Sequence, residues 1–578
     1  MSDLYPLRHS CAHLLAAAVL EIYPNAKPTI GPAIDEGFYY DFDFGDTKIS
    51  TEDLPAIESK MRELVKDWQE FSKTEVSTDQ AKQLFINNPY KLELIEEFSG
   101  ENQQLTTYSS GNFTDLCRGG HCLRPYKDLK HFKLLTVAGA YWRGDEHNKM
   151  LTRIYGTCYP NASGLEEHLN RLEEAKKRDH KKLGPELDLF TFSPLVGAGL
   201  PLWTPKGMTL RTILDDFVWK LRSRYGYQKV EIPHITKKDL YETSGHWDKF
   251  KDELFRIKTR EGHEFAMKPM NCPHHTQIYA RKKWSYRELP QRYANTTTCY
   301  RDEQSGELSG LSRVRAFAQD DAHVFCRMSQ VQDEFLKIWD IIHEFYPAFG
   351  FNLRVRLSLH DPEHNEKYLG DESKWKQAED ILRGIVTSKQ VDWFEGVGEA
   401  AFYGPKLDFM AKDAIGREWQ VATIQLDMNM PDRFNLTCTN EKGEEERIVM
   451  IHAAIMGSIE RFLSILIEHT AGHFPLWLSP VQIKVLPISD KVHDYAYQIF
   501  TELKNEGFRI EIDDDAQTIG NKIRKTQLEK VPFMVILGEK EMESQSISIR
   551  RNSGEQQGNL SLETFIQQIK EESQKITS

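Results

Sequence analysis

The stretch CYRDEQSGELSGLSRVRAFAQDDAHVF, residues 299–325, decides how this chain is read. Two runs with strand character flank a polar loop that holds Gly306 and Gly310. Successive side chains of a strand point to opposite faces. In the second run, alternation puts Arg313, Arg315, Phe317, Gln319, Asp321 and His323 on one face. Val314, Ala316, Ala318 and Val324 fall on the other, with Asp320 as its polar exception. One face suits a core; the other offers cationic forks, an aromatic ring, an amide, a carboxylate and an imidazole. Guanidinium forks match phosphate oxygens, and an aromatic face stacks on a nucleobase. Taken alone, the pattern also fits an exposed charged strand.

The rest of the chain sets the context. Its 578 residues suggest about three or four domains. Lys and Arg total 74 against 87 Asp and Glu, a formal net charge of −13. That balance excludes a general nucleic-acid coat but leaves room for a local basic groove. Eight scattered cysteines point to a reducing compartment with free or metal-bound thiols. No apolar run of about 18 residues is present, so no membrane span is expected. The first residues lack the pattern of a secretion signal, and a cytoplasmic protein is expected. Residues 1–24 read as a helix stopped by Pro24, and 29–44 as strands. Residues 51–100 read as mostly helical, and 105–158 as strands and loops. The charged stretch HLNRLEEAKKRDHKKLG, 168–184, reads as one helix ended by Gly184 and Pro185 and connecting two domains. It is either a solvated face or, more sharply, a phosphate contact through Lys176, Lys177, Arg178, Lys181 and Lys182. From about Pro480, short apolar strands alternate with helical stretches, an α/β domain of about 100 residues.

Two further segments complete the pattern around 299–325. EIPHI, 231–235, places Pro233 where a strand meets a turn, and GSIERFLSILIEH, 457–469, is an apolar helix carrying Arg461. Together the three segments resemble the signature motifs of class II aminoacyl-tRNA synthetases, with Pro233 matching the dimer-interface proline. MKPMNCPHH, QDDAHVF and VMIHAAIMGSIERF resemble the zinc-binding segments of the threonyl-tRNA synthetase family. The likeness extends over nearly the whole chain. It implies a fold of three parts: a class II antiparallel-sheet catalytic core, an N-terminal α+β editing domain and a C-terminal α/β anticodon-binding domain. The expected boundaries are 1–165 for editing, 166–185 for a linker helix, 186–475 for catalysis and 476–578 for anticodon binding. The resemblance implies Cys272, His323 and His452 as ligands of one zinc ion; each taken singly reads as a packed Cys or His. It assigns Arg301, Arg313, Phe317 and Arg461 to ATP, which binds with magnesium. Arg301, Arg461, Gln319 and Lys406 are implied in catalysis, and Asp321, Tyr403 and Gln425 in the threonine pocket. Glu541 and Arg550 match anticodon-reading positions. The implied partners are ATP, L-threonine and tRNA(Thr), in a homodimer.

The chemistry makes such a metal useful. Valine and threonine are nearly isosteric, so an apolar pocket separates them poorly. Three protein ligands leave zinc an open position for the hydroxylated substrate. Serine carries the same hydroxyl, and a missing methyl is worth only about 1–3 kcal/mol. A hydrolytic editing site is therefore expected. LRHSCAHLLAAAVLEIYP, near the N-terminus, puts His9 and His13 on one helix face. NFTDLCRGGH, 112–121, adds Asp115, Cys117 and His121, and PYKLELI adds Lys91. These resemble the editing site of bacterial-type members of the family. The same constellation resembles that of alanyl-tRNA synthetases, which use a metal; in the threonyl family the site works without one.

The chain departs from the family at several points. The resemblance places the first residues directly in the editing region, and the small ubiquitin-like domain common in bacterial relatives is expected to be absent. Gly120 replaces a usual proline and should loosen the loop before His121. His274 replaces a glycine beside Cys272 and adds a rival ligand. Gln304 and Ala453 replace a common proline and arginine. Three other classes compete: an RNA-binding protein without aminoacylation, a stand-alone editing hydrolase, and a synthetase for serine or proline. The retained arginines and zinc-ligand candidates argue against the first two, and the N-terminal pattern against the third. A generic zinc hydrolase would want an HExxH helix, which is missing.

Overall fold

The computed structural model describes residues 4–574 except 102 and 146. The chain divides between Glu173 and Glu174 into two compact units. In the first, the helix Tyr5–Ile22 starts on Pro6 and buries Cys11, Leu14, Leu15 and Val19. It shares a core with the antiparallel sheet Lys27–Pro28, Gly37–Asp43, Met150–Tyr159 and His131–Tyr141. A smaller three-stranded sheet holds Ser72–Glu75, Thr106–Ser110 and Phe113–Leu116. The helix Pro89–Gly100 lies between these strands in sequence, capped by Asn88, whose side chain accepts from the backbone of Tyr90 and Lys91.

The second unit is built on an eight-stranded sheet. Its spatial order is Gln228–Lys229, Gln291–Tyr300, Ala316–Cys326, Val449–Ser458, Glu418–Asp427, Lys406–Lys412, Asn352–Leu359 and Trp393–Val397. All neighbours pair antiparallel except at the two edges, where the outermost strands run parallel to the next. One core packs against this sheet, including residues of the helices Pro205–Ser223, Val331–Phe345 and Ile459–Thr470. The C-terminal part is a five-stranded sheet. Its strands Ile510–Ile512, Ile483–Pro487 and Phe533–Leu537 run parallel, followed by Ile547–Arg551 and Gln556–Leu560 in antiparallel pairing. All eight cysteines are free thiols. Among the described residues, no helix is long and apolar enough to cross a membrane.

The connector differs from a single helix over 168–184. The helix Ala162–Arg178 ends at Asp179, whose side chain accepts from the Lys181 backbone and caps a second helix, His180–Glu186. The cap makes the break, because its carboxylate satisfies one of the first orphan N–H groups of the new helix. Pro185 lies inside the second helix and does not end it.

Candidate active and editing sites

The strand Ala316–Cys326 carries its odd-numbered residues toward a cavity of about 460 Å³. Phe317, Gln319, Asp321 and His323 line it, with Arg313 from the preceding loop. Its even partner Asp320 is buried behind the sheet, ion-paired to Arg222. Asp320 also accepts the backbone N–H groups of Ile455 and Met456 at 2.9 and 3.0 Å. Those two amides lie where the neighbouring strand bulges, between the pairs Asp320–Gly457 and Ala322–Ala453. The polar exception on the core face is therefore the anchor of the bulge.

Every residue assigned from sequence to ATP, threonine, metal or catalysis lines this one cavity. Cys272 comes from the first turn of the helix Cys272–Ala280, and His452 from the strand Val449–Ser458, directly across from His323. One ligand atom each from Cys272, His323 and His452 lie within 4.8 Å of one another. His452 Nε2 is 2.9 Å from Asp427 Oδ2, and His323 Nδ1 is 2.7 Å from His275 Nδ1. Because the Asp427 carboxylate accepts from Nε2, His452 Nδ1 holds a lone pair, and His323 Nε2 holds one in the tautomer whose Nδ1 donates to His275, as outer partners arrange for ligating imidazoles. Burial holds His323 well below the usual histidine range, so it stays neutral, and pushes the Cys272 thiol well up. This donor set fits zinc. His274 is not part of it. Its Nε2 bonds Thr236 Oγ1 at 2.5 Å, so the rival-ligand expectation is replaced by a structural hydrogen bond.

Around the cluster, Asp321 accepts from Asn271 Nδ2 at 3.1 Å, and burial raises its carboxyl to about 6. Tyr403 stacks on His452 and donates to Gln425 at 2.9 Å. Arg301 lies over the Phe317 ring, 5.3 Å from its centroid, and its buried Nε, 3.9 Å from a Glu253 oxygen, has no hydrogen-bond partner among the described residues. Arg313 pairs with Glu303 and Glu307, and Arg461 Nη1 donates to the Gln420 carbonyl at 2.7 Å. Lys406 is held at 2.9 Å by Asp408, a fully buried carboxylate that also receives Arg356, Ser358, Gln420 and Thr423.

The first unit holds a second cavity, of about 420 Å³, lined by His9, His13, Lys91, Asp115 and Cys117. Ligand atoms of His9, His13, Cys117 and His121 lie within 4.8 Å of each other. Cys117 Sγ is 3.3 Å from His121 Nε2 and 3.6 Å from His9 Nε2. Lys91 Nζ and Asp115 Oδ1 form a buried pair at 2.5 Å. Burial lowers His9, lowers His13 well below the usual range, brings His121 down to about 2 and raises the Cys117 thiol to about 11. All four groups are therefore neutral near pH 7. Gly119 and Gly120 have φ of +98° and +84°. Proline, fixed near −65°, does not fit this turn. His121 is nonetheless fixed, stacked on Phe71 at 3.9 Å between ring centroids and on His9 at 4.5 Å.

Comparison with known proteins gives the family. A model of the class II tRNA synthetase core domain (G, H, P, S and T) matches residues 255–470. An anticodon binding domain matches 482–572, and the second additional domain of threonyl and alanyl tRNA synthetases matches 105–155. A threonine–tRNA ligase from Cytophaga hutchinsonii is 50% identical over 569 residues, 98% of this chain and 88% of its own length. The chain belongs to the threonine–tRNA ligase family. Another family member, from Rubrobacter xylanophilus, is 48% identical over 573 residues, 98% of this chain and 89% of its own. The crystal structure of the RNA binding domain of threonyl-tRNA synthetase from Cryptosporidium parvum Iowa II superposes with a TM-score of 0.64. It is 39% identical and covers 68% of this chain and 98% of that one.

Membership in this ligase family leaves several neighbours of the two sites that sequence reasoning did not single out. His246 is fully buried with Nε2 at 4.0 Å from Cys272 Sγ, and burial lowers it to about 3. Tyr40 donates to Asp115 at 2.5 Å and accepts from Lys91 at 3.3 Å. Asp427, His275 and Asp408 each hold an assigned residue in place. Their only sequence signal is proximity in the chain to a motif residue, which is weak for groups that act across strands. Neither Glu541 nor Arg550 lines either cavity. Glu541 is in the first turn of the helix Glu539–Glu543, accepting from Gly538, and Arg550 is on the strand Ile547–Arg551.

Proposed function

We propose that this chain joins L-threonine to tRNA(Thr) through threonyl-adenylate and hydrolyses mischarged seryl-tRNA(Thr). The observation that carries the reading is the Cys272–His323–His452 cluster beside Asp321, in the same cavity as Arg301, Arg313 and Arg461. Cys272, His323 and His452 would hold zinc, which when bound supplies a Lewis-acid centre with an open position for the amine and hydroxyl of threonine. Asp321 takes the substrate ammonium, while Tyr403 and Gln425 close the pocket around the side chain. Phe317 stacks on adenine. Arg301 spans the α-phosphate and the threonine carboxylate, and Arg313 and Arg461 hold the outer phosphates, with magnesium sharing their charge. Gln319 and Lys406 complete the set that aligns the carboxylate with the α-phosphorus. Catalysis is then alignment and charge stabilisation: the carboxylate attacks, pyrophosphate leaves, and the terminal ribose of the tRNA attacks the adenylate carbonyl.

In the editing cavity, His9, His13, Cys117 and His121 position water and the terminal hydroxyls of a seryl ester. The neutral imidazoles accept hydrogen bonds from that water and those hydroxyls, with Lys91 and Asp115 orienting the substrate end. The proposed domains are 1–165 for editing, 166–185 for the linker, 186–475 for catalysis and 476–578 for anticodon binding. Glu541 and Arg550 would read unpaired anticodon bases by base-edge bonding and guanidinium stacking. A homodimer meeting through the Pro233 segment and a cytoplasmic setting complete the proposal. The test is ATP-dependent charging of tRNA(Thr) with labelled threonine, followed by incubation with pre-formed seryl-tRNA(Thr). Charging together with deacylation of the serine ester supports the reading, and failure of charging in folded, zinc-loaded protein overturns it.

A further inference from the structure

The charged stretch 168–184 carries one residue whose partners lie at the edge of the ATP cavity. His180 is buried at the start of the helix His180–Glu186. Its Nδ1 lies 2.6 Å from Glu468 Oε1, and its Nε2 lies 3.0 Å from the backbone nitrogen of Leu311. A backbone N–H only donates, so Nε2 holds the lone pair and Nδ1 the proton that goes to Glu468. Asp179, His180 and Glu468 have the residue types of a metal site. With both ring nitrogens committed, the imidazole has no lone pair left for a cation. Glu468 is held from its other oxygen by Arg417 at 2.6 Å.

These contacts join two parts of the nucleotide site. Glu468 lies in the last turn of the helix Ile459–Thr470, whose first turn carries Arg461. Leu311 is fully buried in the loop that runs from Arg301 to Arg313. Its neighbour Ser312 bonds Ser464 of the same helix at 3.0 Å. Gly310 has φ +51°, and a Cβ there would come within 2.2 Å of His180 Nε2, so the ring is seated closely against the loop backbone.

We infer that His180 is a positioning residue for ATP, pinning the Gly310–Leu311 backbone to the helix that carries Arg461 and thereby setting the spacing of the phosphate-binding arginines. The inference rests on the reading of this cavity as an ATP site. The residue touches no substrate and acts through the loop.

His180→Phe keeps a ring in place and removes both hydrogen bonds, whereas His180→Gln restores an acceptor for the Leu311 N–H. In threonine-dependent pyrophosphate exchange, His180→Phe should raise the KM for ATP roughly tenfold while leaving that for threonine within about twofold. His180→Gln should recover most of the loss. Amide hydrogen exchange of the ligand-free protein should show Leu311 protected in the wild type and His180→Gln and unprotected in His180→Phe. That readout needs no activity, so it separates a failed clamp from a failed ATP reading, which would appear as no exchange in the wild type. Should His180→Phe not fold, Gly310→Ala, which forces the ring away from Leu311, must show the same ATP-selective defect. An unchanged KM for ATP, unchanged protection at Leu311, or a loss spread equally over ATP and threonine would overturn the inference.

Discussion

Adjacent carboxylates in one strand do opposite work. Asp320 faces the core, where it pairs with Arg222 and ties down the bulge at Ile455 and Met456. Asp321 faces the cavity, with Asn271 as its hydrogen-bond donor. Removing Asp320 strands a buried guanidinium, and breaking such a pair costs about 3–5 kcal/mol. Asp320→Ala should therefore lower the thermal midpoint sharply. Asp321→Asn should leave that midpoint near the wild-type value and cut threonine activation by about a hundredfold, the scale of losing one oriented charged group. The alternation that separates the two was legible in sequence, because period 2 fixes a face regardless of tertiary context. The bulge was not legible, because it is a property of the neighbouring strand's register. Cys117 gives a second test. Its thiol is raised by burial to about 11, so the protonated form dominates below that pH. The thiolate is the reactive form, and its fraction falls about tenfold for each pH unit below the pKa. Peptide-resolved mass spectrometry should find Cys117 slowly alkylated by iodoacetamide at pH 7.5 and increasingly fast toward pH 11. Rapid labelling at pH 7.5 would contradict the buried, neutral cluster.

At the scale of elements, the central strands define the catalytic geometry through partners on other strands. Lys406 is aimed by Asp408, two residues along its own strand, but Asp408 is fixed by Arg356, Ser358, Gln420 and Thr423 from the two flanking strands. Asp408→Ala would leave Lys406 and Arg356 without their shared counter-charge. The expected result is destabilisation of about 3 kcal/mol or more, read by denaturant unfolding, with reduced adenylate formation in the fraction that stays folded. A stable, fully active variant would contradict the hub. The connector was the least legible element. Charge and helical spacing run unbroken through 168–184, and the break at Asp179 depends on a side-chain cap that competes locally with continuation of the helix. The helix Tyr5–Ile22 was easier to read, because its apolar spacing and Pro24 both act within the segment.

Across the whole molecule, the two cavities lie in separate compact units, the one lined by His9 and Cys117 before residue 174 and the one lined by Cys272 and Arg301 after it. His9→Ala and Cys117→Ala should therefore abolish seryl-tRNA(Thr) hydrolysis while leaving threonine-dependent pyrophosphate exchange within about twofold, as expected for sites that share no lining residue. A parallel loss of exchange would show that the two sites are coupled. The candidate metal ligands illustrate what sequence carries at this scale. Cys272, His323 and His452 are spread over 180 residues with no compact spacing, so only family likeness united them; in the fold, strand pairing sets His323 opposite His452. The most direct test of the central claim is pyrophosphate exchange by the purified protein with threonine, serine and valine, before and after zinc removal. The account predicts zinc-dependent exchange with threonine, weaker exchange with serine and negligible exchange with valine. Exchange with valine comparable to threonine, or no exchange with any of the three in folded, zinc-loaded protein, would contradict it.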